Sequence, residues 1–115
     1  MTTIVDYTEA IDKAGGNTEL AKELFGMLLQ ELPQLREKLH AAIAQEDLQA
    51  IWNHAHKIYG STAYCGVPML REAASVMETT VRAKHLGEIR QEFEKLDMAI
   101  QQLLQQGPAH LGKRW

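Results

Sequence analysis

The residues whose types and spacing could do chemistry are concentrated between Asn53 and Tyr64, with His56 and Gly60 at the centre. A neutral imidazole is nucleophilic near pH 7, so an accessible histidine can take up an electrophilic group such as a phosphoryl group. Glycine inside a helix costs about 1 kcal/mol relative to alanine, so local stability gives no reason for Gly60. Deleting a side chain one helical turn from an imidazole does leave that ring open to a large partner. Lys57 adds a long cationic stem that can reach an anion carried on the ring, and the Ser61 hydroxyl adds a hydrogen-bonding group near the site. The segment therefore reads as a phosphorylatable histidine with a basic neighbour. A metal pair formed with His54 is excluded, because residues two apart on a helix point roughly 200° apart and cannot chelate one ion.

The element that must carry these groups is a helix starting after Asp47. At roughly 100° per residue, Leu48, Ile51, Ala55, Ile58 and Thr62 gather on one buried stripe, with Trp52 and Tyr59 at its edge. His56 lies roughly 120° from the centre of that stripe, and Asn53, Gly60 and Tyr64 share its strip of surface. Close helix packing is the other use of a helical glycine, and the position of Gly60 off the apolar stripe argues against it. The pattern does not decide whether Trp52 and Tyr59 belong to the core or to the apolar rim of a docking site.

The remaining pattern is helical throughout. Asp6 caps a short first helix carrying Tyr7 and Ile11, which Gly15-Gly16 stops. Asn17 or Thr18 opens a long helix with Leu20, Leu24, Met27, Leu28, Leu32, Leu35, Leu39 and Ile43 on one face. Pro33 removes a hydrogen bond to the carbonyl of Leu29, so a kink or break near Glu31 is expected. Gly66-Val67-Pro68 ends the histidine helix and starts the next, which presents Leu70, Ala73, Ala74, Met77 and Val81. The last helix presents Ile89, Phe93, Leu96, Ile100 and Leu103, and Gly107-Pro108 is expected to stop it. Four amphipathic helices joined by short loops favour antiparallel neighbours. The expected fold is all-α: an antiparallel up-down four-helix bundle over residues 1–106, with a short additional N-terminal helix, and a frayed C-terminal tail at 107–115. His40, His85 and His110 are assigned to solvent.

Composition narrows the function classes. One domain is expected of 115 residues, and a 45% hydrophobic, 23% charged balance excludes a disordered chain. The net charge of −3 gives no basic footprint for nucleic acid. No apolar run approaches the roughly 20 residues that span a bilayer, and a cytoplasmic location is expected. Cys65 is the single cysteine. It excludes an internal disulfide framework and is expected to pack at a helix end. No glycine-rich phosphate loop or acidic metal cluster occurs, so the chain is not expected to act as a kinase or ATPase by itself.

The run His56-Lys57-Ile58-Tyr59-Gly60-Ser61, followed by Tyr64-Cys65-Gly66-Val67-Pro68-Met69-Leu70, resembles the signature of histidine-containing phosphotransfer (HPt) domains. Within that family it is similar to the C-terminal module of tripartite hybrid sensor kinases of the BarA/GacS kind, where a Tyr-x-Gly-Val-Pro run follows the histidine motif. The chain departs from many members at one position, three residues after the histidine, where Tyr59 replaces a lysine. The resemblance implies that His56 is the phosphoryl acceptor, taking the group from a receiver-domain aspartate and passing it to the aspartate of a response regulator. It also implies supporting or docking roles for Lys57, Gly60, Ser61, Asn53, Tyr59 and Tyr64. The partners implied are those two receiver domains, meeting a monomeric chain that holds no cofactor of its own, with Mg²⁺ on the receiver. Such a module can belong to a membrane-anchored kinase without itself entering the membrane. The alternatives are an adaptor that binds a receiver or kinase without being phosphorylated, and a cofactor-binding bundle, for which the apolar stripes offer no interior polar cluster.

Overall fold

A computed structural model describes residues 3–83 and 85–115. The elements are α1 (Tyr7–Lys13), α2 (Thr18–Ala44), α3 (Leu48–Thr62), α4 (Pro68–Arg82) and α5 (Leu86–Leu111). No strand occurs among the described residues. Each of α2 to α5 packs against two others, in the cyclic order α2, α3, α4, α5, and α1 lies on α2. Short connections between adjacent helices make the neighbours antiparallel. The bundle measures 42 × 23 × 20 Å, its length set by the two longest helices.

Local chemistry starts and stops the helices largely as the residue types dictate. The side chains of Asp6, Asn17 and Asp47 accept hydrogen bonds from the backbone N–H groups of Glu9, Leu20 and Ala50, at 3.0, 3.0 and 3.1 Å. Each satisfies a donor that its helix start would otherwise leave unpaired. Gly15 and Gly16 end α1 at φ +69° and +87°, a region that a β-carbon disfavours. Pro68 opens α4. The histidine helix ends at Thr62, sooner than the Gly66-Val67-Pro68 signal placed it.

The core runs along the inner faces of all four long helices. Phe25, Leu32, Leu39, Ile51, Ile58, Leu70, Met77, Ile89, Leu96, Ile100 and Leu103 are its largest members, all essentially inaccessible. Leu20 and Met27 belong outside it, at 39% and 56% exposure, and Phe25 takes the interior place at that end of α2. Across the α2–α5 seam, Arg36 Nε and Nη2 donate to the two carboxylate oxygens of Asp97 at 2.5 and 3.1 Å. This paired geometry holds the Asp97 carboxyl below its ordinary range, against the opposing effect of burial.

Two expected interruptions are absent. The long α2 continues through Pro33, so of the kink or break expected near Glu31 the break does not occur. Likewise α5 passes through Gly107-Pro108 to Leu111. The end of the chain is not frayed. Gly107 is buried where α5 crosses α2, and a β-carbon there would lie 2.7 Å from Leu29 Cδ2. Beyond it, the Trp115 ring stacks on Tyr7 at 4.9 Å and meets Phe25 edge-on at 5.4 Å. Its indole N–H donates to the His110 carbonyl at 2.8 Å. Burial of a tryptophan stabilises by several kcal/mol at about 25 cal/mol per Å², enough to outweigh local helix-breaking preferences.

Candidate functional site

The α3 stripe is placed as its periodicity requires: Ile51, Ala55, Ile58 and Thr62 are buried. That fixes the rotation of the helix and turns His56 outward, with 57% of its side chain exposed. Asn53, Lys57, Tyr59, Gly60 and Tyr64 are also exposed, and Ser61 is half-buried. A β-carbon built on Gly60 would meet nothing within 4 Å. Gly60 therefore serves neither helix packing nor an unusual backbone angle; it leaves open surface one turn from the imidazole.

The ring is held from two sides. Its Nδ1 lies 3.0 Å from Oε1 of Glu78 on α4. A carboxylate only accepts, so Nδ1 carries the proton and the lone pair resides on Nε2. Glu78 is mostly covered, with 15% of its side chain exposed, so its oxygen is well positioned as an orienting partner. On one face of the ring, Trp52 stacks at 4.7 Å with an interplanar angle of 8°. The imidazole is fixed at Nδ1 and over one face while most of it stays accessible. Such an arrangement suits a nucleophile presented to another molecule.

Glu78 is the residue that sequence reasoning missed. It belongs to another helix, 22 positions along, and helical periodicity cannot pair two helices. One signal was present: Glu78 sits at the edge of the stripe formed by Leu70, Ala74, Met77 and Val81, an unusual place for an acid. The structure also assigns Trp52, which packs against the core while covering the ring of His56. The guanidinium carbon of Arg82, on α4, lies 5.8 Å from the centroid of the same indole. The indole N–H of Trp52 is buried with no hydrogen-bond partner, a condition that costs about 1–3 kcal/mol.

The other expected site residues divide. Ser61 Oγ donates to the carbonyl of Lys57 at 3.0 Å, within the helix and not toward the imidazole. Asn53 accepts from Gln49 Nε2 at 3.0 Å. Lys57 makes no ion pair among the described residues, so its ammonium is available to an incoming anion. Tyr64 is 64% exposed and, with Met27, Leu24, Glu31, Gly60 and Ser61, lines a shallow groove of about 150 Å³ between α2 and α3. The exposure of Met27, which removes it from the core, adds an apolar surface beside Gly60. Cys65 closes the floor of this groove. Burial pushes its thiol up to about 11, and the S–H points to the Leu24 carbonyl at 3.6 Å, so it acts as a packing residue.

Gly66 in the same motif has a different use. A β-carbon there would lie 2.0 Å from the Asp6 carbonyl oxygen and 2.8 Å from the Ala10 nitrogen. The Asp6 N–H donates to the Gly66 carbonyl at 2.7 Å, so the N-terminal segment presses directly on the α3–α4 turn.

The site is thus an oriented, open histidine beside a bare glycine on an all-helical bundle. Residues 23–106 match the Hpt domain model, a span containing His56, Gly60 and Glu78, and the chain belongs to this family of two-component phosphorelay domains. It is 35% identical over 94 residues to the sensor protein GacS of Pseudomonas syringae pv. syringae, a match covering 80% of this chain and 10% of that protein. To the signal transduction histidine-protein kinase BarA of Shigella flexneri it is 33% identical over 79 residues, covering 69% of this chain and 9% of that one. The chain thus spans about a tenth of the length of the curated relatives it matches. Among solved structures, the HPT domain of a sensor hybrid histidine kinase from Shewanella superposes with a TM-score of 0.65 at 27% identity, over 90% of this chain and 95% of that one. No helix among the described residues is long and apolar enough to cross a membrane.

Proposed function

We propose that this chain relays phosphoryl groups between receiver domains, with Nε2 of His56 as the carrier atom. The observation that carries this is the hydrogen bond between Nδ1 and Glu78, which leaves the outward nitrogen as the nucleophile. In the first half-reaction, the Nε2 lone pair forms a bond to phosphorus of an aspartyl phosphate. The P–O bond to the aspartate breaks, and the carboxylate leaves with the electron pair. The imidazole becomes cationic as the N–P bond forms, and the Glu78 carboxylate facing Nδ1–H stabilises that charge. Transfer to a second receiver reverses these steps: its aspartate oxygen attacks phosphorus, and the neutral ring returns.

The receiver supplies the acidic pocket and Mg²⁺ expected for phosphoryl transfer. This chain supplies the nucleophile, its orientation and the docking surface. Gly60 admits the loops of the receiver, and Met27, Tyr59 and Tyr64 give the apolar contact around them. Lys57 offsets the added negative charge in the absence of a lysine at position 59.

The test is incubation with receiver domains charged by acetyl phosphate, followed by mass spectrometry. Label is expected on His56 alone, acid-labile and base-stable as a phosphoramidate is, and absent in His56→Gln. Label persisting in that variant, or surviving acid, would refute the assignment.

A further inference from the structure

Trp52 meets the reacting ring face to face. Its indole lies parallel to the His56 imidazole, with 4.7 Å between centroids and 8° between planes, so an aromatic π face covers that ring directly. The buried indole N–H has no acceptor, a cost that a phenyl or aliphatic side chain packed against the same core would not carry. Indole is also the aromatic group whose face attracts a cation most strongly. Two charges on α4 stand by the stacked pair: Glu78, 3.0 Å from Nδ1, and Arg82, whose guanidinium carbon lies 5.8 Å from the indole centroid. Both are there before and after phosphoryl transfer. What changes is the charge on the stacked imidazole.

From this we infer that the Trp52 indole stabilises the positive charge that the imidazole acquires when Nε2 takes up the phosphoryl group. The inference rests on the relay reading of His56, and its test separates the two. As the Nε2 lone pair forms the N–P bond, the donor's leaving group departs with the electron pair of the bond that breaks, as a carboxylate from an aspartyl phosphate or as ammonia from phosphoramidate. Nδ1 keeps its proton against Glu78, so the ring then carries one positive charge delocalised over both nitrogens. A neutral imidazole gains dispersion from the stacked indole, and an imidazolium gains the attraction of the ring quadrupole as well. The contact is therefore stronger in the transition state and in the phosphorylated chain than in the resting one, which is the condition for accelerating the step. Arg82 draws on the same indole equally in both states and does not cancel that difference. Glu78 acts on the ring at Nδ1 and Trp52 over its face, so the two contributions can be removed separately. A half-exposed contact of this kind corresponds to a change in rate of about two- to fivefold.

The test replaces tryptophan by 5-fluorotryptophan or a difluorotryptophan throughout the full chain, because fluorine withdraws electron density from the π face while hardly altering the size of the ring. Labelling of His56 is then followed with phosphoramidate, a small donor that needs no docking surface, and with charged receiver domains. The initial rate is expected to fall by the same factor with both donors, stepwise with the number of fluorines, to roughly a third in the difluoro chain, at an unchanged thermal midpoint. Trp115 is the other tryptophan, so fluorinating the Trp52→Phe chain alters Trp115 alone and should leave both rates where they are. Rates independent of fluorine, or an equal fall in the Trp52→Phe chain, would overturn the role of Trp52. A fall with receivers only would overturn it too, by making the indole a docking contact. Fluorine-dependent labelling by phosphoramidate with no transfer from any receiver would instead refute the relay and leave the stabilisation by Trp52 established. Absence of labelling at His56 by either donor would refute both.

Discussion

His56 and His110 occupy opposite kinds of environment in one small bundle. His56 stands on the outer face of α3, with its Nδ1 on an acid and one face on an indole, and it remains more than half exposed. His110 lies near the end of α5, where its Nδ1 shares a hydrogen bond with the Tyr7 hydroxyl and its ring meets Tyr7 and Phe25 edge-on. Burial, with a smaller effect from Lys113, lowers the pKa of His110 from its ordinary value near 6.5. Both rings are flanked by an aromatic and a hydrogen-bonding group. The difference is that every neighbour of His110 is part of the fold's closure, whereas the neighbours of His56 leave Nε2 facing outward. A histidine becomes reactive toward a partner when its partners orient it without enclosing it.

Two glycines of the same motif break that comparison most sharply. Gly66→Ala is expected to destabilise the fold by about 3 kcal/mol, the upper range for overpacking, because its β-carbon would collide with the backbone of the N-terminal segment. Gly60→Ala should instead be neutral or stabilising by up to about 1 kcal/mol, since nothing faces its β-carbon and a helix gains from alanine. Gly60→Leu should keep the thermal midpoint and slow phosphotransfer by an order of magnitude or more. Thermal unfolding and transfer kinetics on the three variants check this. If Gly60→Leu lost fold and activity together, the open-face assignment would be wrong.

A smaller effect is expected at Lys57. Neutralising a partly exposed charge-assisted contact costs about 1 kcal/mol, so Lys57→Ala should slow transfer several-fold. Tyr59→Lys in that background should recover much of the loss, because positions three apart are neighbours on a helix surface. The difference must shrink as ionic strength rises, which stopped-flow rates at two salt concentrations would show. Wild-type transfer by Lys57→Ala at low salt would assign charge compensation to the receiver alone.

The smallest effect belongs to His110 and is a matter of pH. Its pKa is lowered by folding, so the unfolded chain takes up the proton first as pH falls. Stability is therefore full above about pH 6.5 and declines as pH drops through the lower folded value. The midpoint should fall between pH 7 and 5, with Trp115 fluorescence reporting the change. His110→Gln should flatten that part of the profile while leaving transfer through His56 intact. An unchanged slope in His110→Gln would place the pH sensitivity elsewhere.

The amino-acid sequence alone determined the helices and the outward-facing ring of His56. The period of Ile51, Ala55, Ile58 and Thr62 set which way α3 faces, and hence that His56 and Gly60 point outward. The caps at Asp6, Asn17 and Asp47 were equally legible, because capping joins residues only three apart. The motif from His56 to Leu70 identified the family without any coordinates. What only the tertiary structure decided was everything that joins distant segments. Glu78 meets His56 from another helix, Met27 leaves the core while Phe25 enters it, and Gly66 is small because Asp6 presses against it. At the C-terminus, local propensity pointed to a stop at Gly107-Pro108, yet α5 continues because Gly107 fits against Leu29 and Trp115 has Tyr7 and Phe25 to pack on. Periodicity and capping act over one or two turns of chain, while burial and hydrogen bonding between helices depend on which surfaces meet.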